Sequence, residues 1–168
     1  DPDALRAAIT PRTKLLILNN PGNPTGAVYT KETLEAVCKI ACEYDLLVLA
    51  DEIYSRIVYS GAEFYAVASF PGMRERTLTM NGFSKTYAMT GWRMAYIAAD
   101  EALMRTVAVT HQYSTTCEPT FSQIGMAQAM ELPETEQAVQ RMVEAFARRR
   151  TLLDEELSKI HGLTHTVP

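Results

Sequence analysis

The tightest constraint on this chain is a pattern of short apolar runs that stop abruptly at polar residues. Residues 14–19 (KLLILN) and 46–50 (LLVLA) are nearly all apolar and of strand length, as expected of strands covered on both faces. The first run is followed by 20–26 (NPGNPTG), too rich in Pro, Gly and Asn for regular structure. Thr30 can then cap a helix reaching about Tyr44, in which Leu34, Val37, Cys38, Ala41 and Tyr44 recur at three- and four-residue steps. Strand, loop, helix and strand in this order predict a right-handed crossover within a largely parallel sheet. Further strands are expected at 77–80 and 94–98, and helices at 3–9, 101–112, 119–130 and from Pro133 to about Ser158. The predicted class is α/β, three layers, with a mostly parallel sheet flanked by helices.

Composition narrows the function classes. With 168 residues, 47% of them apolar, the chain can bury the core of one ordinary domain. Its longest apolar runs are too short to cross a bilayer, so no membrane partner is expected. A net charge of −4, with one local basic run at 148–150, lacks the footprint of a nucleic-acid surface. The start carries no basic, apolar, small-residue leader pattern, and the expected compartment is cytoplasmic. Cys38, Cys42 and Cys117 are an odd number, which fits reduced thiols. Cys38 and Cys42 share a helix face, but no His or carboxylate completes a ligand set, so they are read as core and no metal is expected. His111, His161 and His165 share no ligand spacing and receive no role. Four strands are few for a doubly wound sheet, and the sequence begins close to a buried strand, so a part of a longer protein is expected.

Polar residues follow three of the predicted strands at their carboxyl ends: Asn23 after the first, Asp51 after the second and Lys85 after the third. That edge is where open α/β sheets bind ligands. A carboxylate directly after buried apolar residues is costly unless paired, and a lysine beside Gly82 and Phe83 is a candidate for desolvation and a lowered pKa. Arg93, beside a glycine and a tryptophan, offers a planar fork suited to phosphate. Each has a plainer alternative. Asp51 could pair with Lys85 or Arg56, Lys85 could be a solvated loop lysine, Asn23 a turn former and Arg93 a surface residue.

Three stretches together carry a resemblance: NPGNPTG at 20–26, ADEIY at 50–54 and GFSKTYAMTGWRMAY at 82–96. In that order and at those separations they resemble the signatures of pyridoxal-phosphate-dependent aminotransferases of class I and II, aspartate aminotransferase-like enzymes of fold type I. The resemblance implies that Lys85 forms a Schiff base with the cofactor aldehyde and that Asp51 pairs with the pyridine nitrogen. It implies that Tyr54 and Asn23 hydrogen-bond the ring's phenolic oxygen and that Arg93, with Ser84 as a weaker addition, binds the phosphate. The catalytic set so implied is Lys85, Asp51 and Tyr54. The activity implied is amino-group transfer between an α-amino acid and a 2-oxo acid, in a homodimer. Relatives using the same set as C–S or β-lyases, or as cofactor-sensing domains of transcription regulators, are the alternatives.

The same resemblance divides the chain into residues 1–132, the C-terminal portion of a cofactor-binding large domain, and 133–168, a long helix leading into a small domain. It puts the hydroxyl-rich stretch 113–123 near a dimer interface, where a plain solvated loop is the alternative. The family more often has glycine at the position of Ala95. Its upstream phosphate-cradling helix start and its downstream carboxylate-binding arginine have no counterpart in this sequence, so these residues alone should bind cofactor poorly. Trp92 is read as core, and 148–150 as a solvated face with acidic counterparts at 154–156.

Overall fold

The computed structural model describes residues 1–168. Asp1 caps α1 (Pro2–Ala8) by accepting from the amides of Asp3 and Ala4, and β1 (Leu15–Asn19) follows. Thr30 caps α2 (Lys31–Glu43) through the Thr33 amide, as its position predicts, and β2 is Leu47–Asp51. Residues 52–76 form turns and two short 3₁₀ segments before β3 (Thr77–Gly82), which runs directly into the four-residue α3 (Phe83–Thr86). Then come β4 (Ala95–Ala98), α4 (Glu101–Thr115), α5 (Thr120–Glu131) and α6 (Pro133–Leu157). No helix is long and apolar enough to cross a membrane.

The sheet order is β1-β2-β3-β4, with β1, β2 and β3 parallel and β4 antiparallel to β3. The predicted α/β class, a mostly parallel sheet with helices, is what forms. β4 reverses because residues 83–94 hold only α3 and a 3₁₀ turn, with no crossover helix to bring the chain back parallel. Those residues are occupied by the segment that bears Lys85.

Side chains alternate across each strand. Leu18, Val48 and Ala50 point to one face, where Leu34, Cys38 and Ala41 of α2 meet them, and Leu46, Val67, Phe70 and Met73 complete the cluster. Burial pushes the Cys38 thiol up to about 11, consistent with a protonated core side chain. The other face leaves Ile17 66% exposed, with Leu15 and Leu47 also exposed. Burial on both faces, expected from the apolar runs, is therefore realised on one face in this chain. A second cluster of Phe83, Met94 and Met126 joins β3–β4 to α5.

The family-typical glycine at Ala95 is replaced at no steric cost, because Gly82 stands opposite it in the β3–β4 register. A Cβ on Gly82 would lie 3.0 Å from both the Cα and Cβ of Ala95, so the space one strand gives up the other uses. Trp92, read as core, is instead 47% exposed, with one edge of its ring facing Gly125 of α5. The predicted loop at 113–123 shrinks to residues 116–119, the flanking residues continuing α4 and α5. The acids expected to answer the arginine run have other partners: Asp154 binds His165 at 2.7 Å and Glu156 binds Lys159 at 2.6 Å.

Candidate active site

Asn19, Asp51 and Met80 align across β1, β2 and β3 in register, so the polar residues that follow them gather at one sheet edge. A cavity of about 430 Å³ opens there. Its walls include Asn23 from the 20–26 loop, Tyr54 from the turn after β2, Ser84 and Lys85 from α3, and Met142 and Phe146 from α6. Asn23 Nδ2 donates to Tyr54 Oη at 3.4 Å. Lys85 Nζ lies 5.7 Å from the centroid of the Tyr54 ring. Four of the six sequence-predicted site residues thus share one hollow.

The two remaining residues, Asp51 and Arg93, do not line it. Asp51 is half-buried, and its carboxylate accepts one bond, from the Ile53 amide at 3.2 Å. Arg93 sits in the left-handed region at φ 57°, where a non-glycine residue is uncommon. Its side chain donates to the Thr90 carbonyl and lines a separate depression with Tyr96, His111 and Glu118.

The plainer alternatives are decided by partners. None of the chain's ion pairs includes Asp51, Lys85 or Arg93. Arg56, a possible partner for Asp51, instead makes a two-oxygen contact with Glu136 of α6 at 2.5 and 2.6 Å, which draws that carboxyl below its ordinary range. Lys85 is exposed, so the desolvation expected of it is not realised in this chain. An amine, a carboxylate and a guanidinium left without countercharges around one sheet edge form a donor set that fits a ligand carrying an aldehyde, a ring nitrogen and a phosphate.

Adjacent carboxylates divide their work by strand alternation. Asp51 stands on the open face, whereas Glu52 turns toward the core, is 3% exposed and accepts from the Val67 amide at 2.9 Å. Burial raises the Glu52 carboxyl above its usual range. Sequence reasoning did not assign Asn19, Ile57, Tyr59, Met142 or Phe146 to this region. Met142 and Phe146 stand one helical step apart on α6, a spacing that marks an apolar face but not a cavity wall. Gly26, also in the wall, has φ 70°, and a Cβ there would collide with Pro168, so the loop approaches Pro168 only because the residue is glycine.

Comparison with known proteins decides the family. The family model described as Aminotransferase class I and II matches residues 1–168. The chain belongs to this family. Aromatic-amino-acid aminotransferase 2 of Thermococcus litoralis is 46% identical over 166 residues, which are 99% of this chain and 42% of that protein. The aspartate/prephenate aminotransferase of Thermus thermophilus is 43% identical over 161 residues, 95% of this chain and 41% of that protein. The crystal structure of an aromatic aminotransferase from Pyrococcus horikoshii superposes with a TM-score of 0.92 at 42% identity, covering 95% of this chain and 43% of that one. This aminotransferase-family chain thus spans about two fifths of the length of the curated relatives it matches. Class I and II aminotransferases are pyridoxal-phosphate enzymes.

Proposed function

We propose that the full-length protein is a pyridoxal 5'-phosphate-dependent aminotransferase that moves an amino group between an α-amino acid and a 2-oxo acid. The observation that carries this reading is the unpaired Lys85 amine sharing one cavity with the hydrogen-bonded Asn23–Tyr54 pair, at the sheet edge where β2 ends in the unpaired Asp51 carboxylate. When bound, the cofactor supplies an aldehyde that condenses with amines and a ring that accepts the electrons left behind when a substrate loses its α-proton.

The chain's own residues then have distinct tasks. Asp51 would hold a proton at the ring nitrogen, because a fixed negative charge favours the protonated form. Asn23 Nδ2 and Tyr54 Oη would donate to the phenolic oxygen and stabilise its anion. Arg93 and the Ser84 hydroxyl would be the groups that hold the phosphate. Lys85 Nζ would hold the cofactor's aldehyde at rest and, as a free amine, would be the base that takes the substrate's α-proton and gives it back. Two such half-reactions give ping-pong kinetics.

Residues 1–132 act in this reading as part of the cofactor-binding domain, and α6 leads on toward a second, smaller domain. A cytoplasmic homodimer is the proposed working form. The test is to purify the full-length protein, add pyridoxal phosphate, and screen amino donors against oxo acids, scoring transfer and elimination separately. A visible absorbance band and amino transfer are expected. Protein that stays colourless after incubation with cofactor overturns the reading, and elimination without transfer redirects it to a lyase.

A further inference from the structure

We infer that Asn19 is a positioning residue of this site, a strut that fixes Asn23 relative to Asp51; the inference deepens the reading above and rests on it. Asn19 ends β1 directly opposite Asp51, which ends β2. Alternation puts both side chains on the open face of the sheet. Asn19 Oδ1 accepts the backbone N–H of Asn23 at 2.7 Å, and Asn19 Nδ2 donates to the Asp51 carbonyl at 3.4 Å.

The polarity of these partners fixes the amide's orientation, since a backbone N–H can face only the oxygen and a carbonyl only the NH₂. Of ordinary short side chains, asparagine alone carries both groups at this reach. Asp would lose the donor, and Leu would lose both.

What the strut does follows from how the 20–26 loop is otherwise held. The Gly22 amide donates to the Ala27 carbonyl and the Gly26 amide to the Gly22 carbonyl, which ties the loop to itself. Asn20 anchors its base, donating its own amide to the Asp51 carbonyl at 3.1 Å and accepting from the Tyr29 amide. The Asn19 bond is the tie made to Asn23 itself, and from there the Asn23 side chain reaches Tyr54. A continuous path therefore runs from the Asp51 backbone through Asn19 and Asn23 to the Tyr54 hydroxyl. Three members of the path are proposed cofactor contacts. Asn19 acts through them.

The test uses the full-length protein loaded with pyridoxal phosphate and reads the pH midpoint of its visible absorbance band together with the rate of cofactor release. If Asn23 is held in place by Asn19, removing the strut weakens donation to the phenolic oxygen. Asn19→Ala should then move the midpoint upward by about half to one pH unit and speed release. Asn23→Ala should shift it in the same direction, and the double variant should shift little beyond Asn23→Ala alone, because both changes break one path. Asn19→Leu, close in shape but without either hydrogen bond, repeats the measurement with the packing kept. A midpoint unchanged in either Asn19 variant, or additive shifts in the double variant, overturns the inference while leaving the cofactor assignment standing. A wild-type protein with no visible band removes the cofactor reading and the strut with it.

Discussion

The β1–β2–α2 side of the sheet and the β3–β4–α4 side are built from similar amounts of apolar sequence but use it differently. The first encloses a ten-residue core in which Leu34 and Ala41 are fully buried. On the second, α4 contributes no buried residue and three of the four residues of β4 are exposed. Charges within each side are paired, Arg105 with Glu101 on the second. On the first side Arg6 pairs with Glu43, and Arg76 with Asp45. At the edge between the two sides Asp51, Lys85 and Arg93 stay unpaired. Charged groups not neutralised by one another are free to meet an incoming ligand, so the residues that hold this fold and those proposed to use it are largely separate sets.

That separation can be broken most decisively at Lys85. Lys85→Ala in the full-length protein should abolish the visible cofactor band and lower amino transfer at least about a thousandfold, with the melting temperature close to wild type, because the side chain is exposed and unpaired. Asp51→Ala should also cost orders of magnitude in transfer while leaving the band present. A large fall in melting temperature in either variant would show that site and scaffold are not separate. The converse change is Leu34→Ala, at 0% exposure in the core. It should destabilise by about 2–5 kcal/mol in chemical denaturation and leave the band and turnover per folded molecule intact. Altered turnover there would join the two sets again.

The difference between the two sides also explains what the sequence made legible. Strand positions were readable to within two residues because an apolar run ending at a polar residue is a local signal, as at Leu47–Asp51 and Leu15–Asn19. The direction of β4 was not readable, because an apolar run has no sense, and only the shortness of the 83–94 connection sets it antiparallel. α3 was missed since four residues show no helical period. Motif spacing brought Asn23, Tyr54, Ser84 and Lys85 to one cavity. It could not say that Lys85 would be exposed, which depends on what packs above it, nor that Asn19 would bond a backbone amide four residues on. Such a bond leaves no pattern in composition or periodicity.

A smaller effect is expected on the open side. Phe121 and Tyr113 are 72% and 88% exposed in this chain, large aromatic surfaces of a kind that mark contact sites when they cluster. In the proposed homodimer, Tyr113→Asp combined with Phe121→Asp should move the full-length protein toward monomer in sedimentation velocity, without altering the cofactor band of the remaining dimer. If the sedimentation coefficient is unchanged, these aromatics lie outside the subunit interface, and the loose packing of α4 has another cause.

The smallest effect sharpens the comparison at the boundary, where Asp51 and Glu52 are neighbours in sequence but face opposite sides of the sheet. Glu52 is buried and its carboxyl titrates above its ordinary value near 4.5, so the folded state keeps that proton to higher pH than the unfolded chain does. Its contribution to stability is therefore complete below the unfolded value and is lost as pH rises through the folded one. Glu52→Gln keeps an oxygen to accept from the Val67 amide and removes the charge. Melting temperatures of variant and wild type should coincide at low pH and separate as pH rises toward neutrality, with the Gln variant the higher. A difference that does not change with pH would mean that Glu52 acts through packing alone. Were the variant less stable at neutral pH, the ionised carboxylate would have to be the form the fold requires, and Glu52 would belong with Asp51 among the charges the site uses.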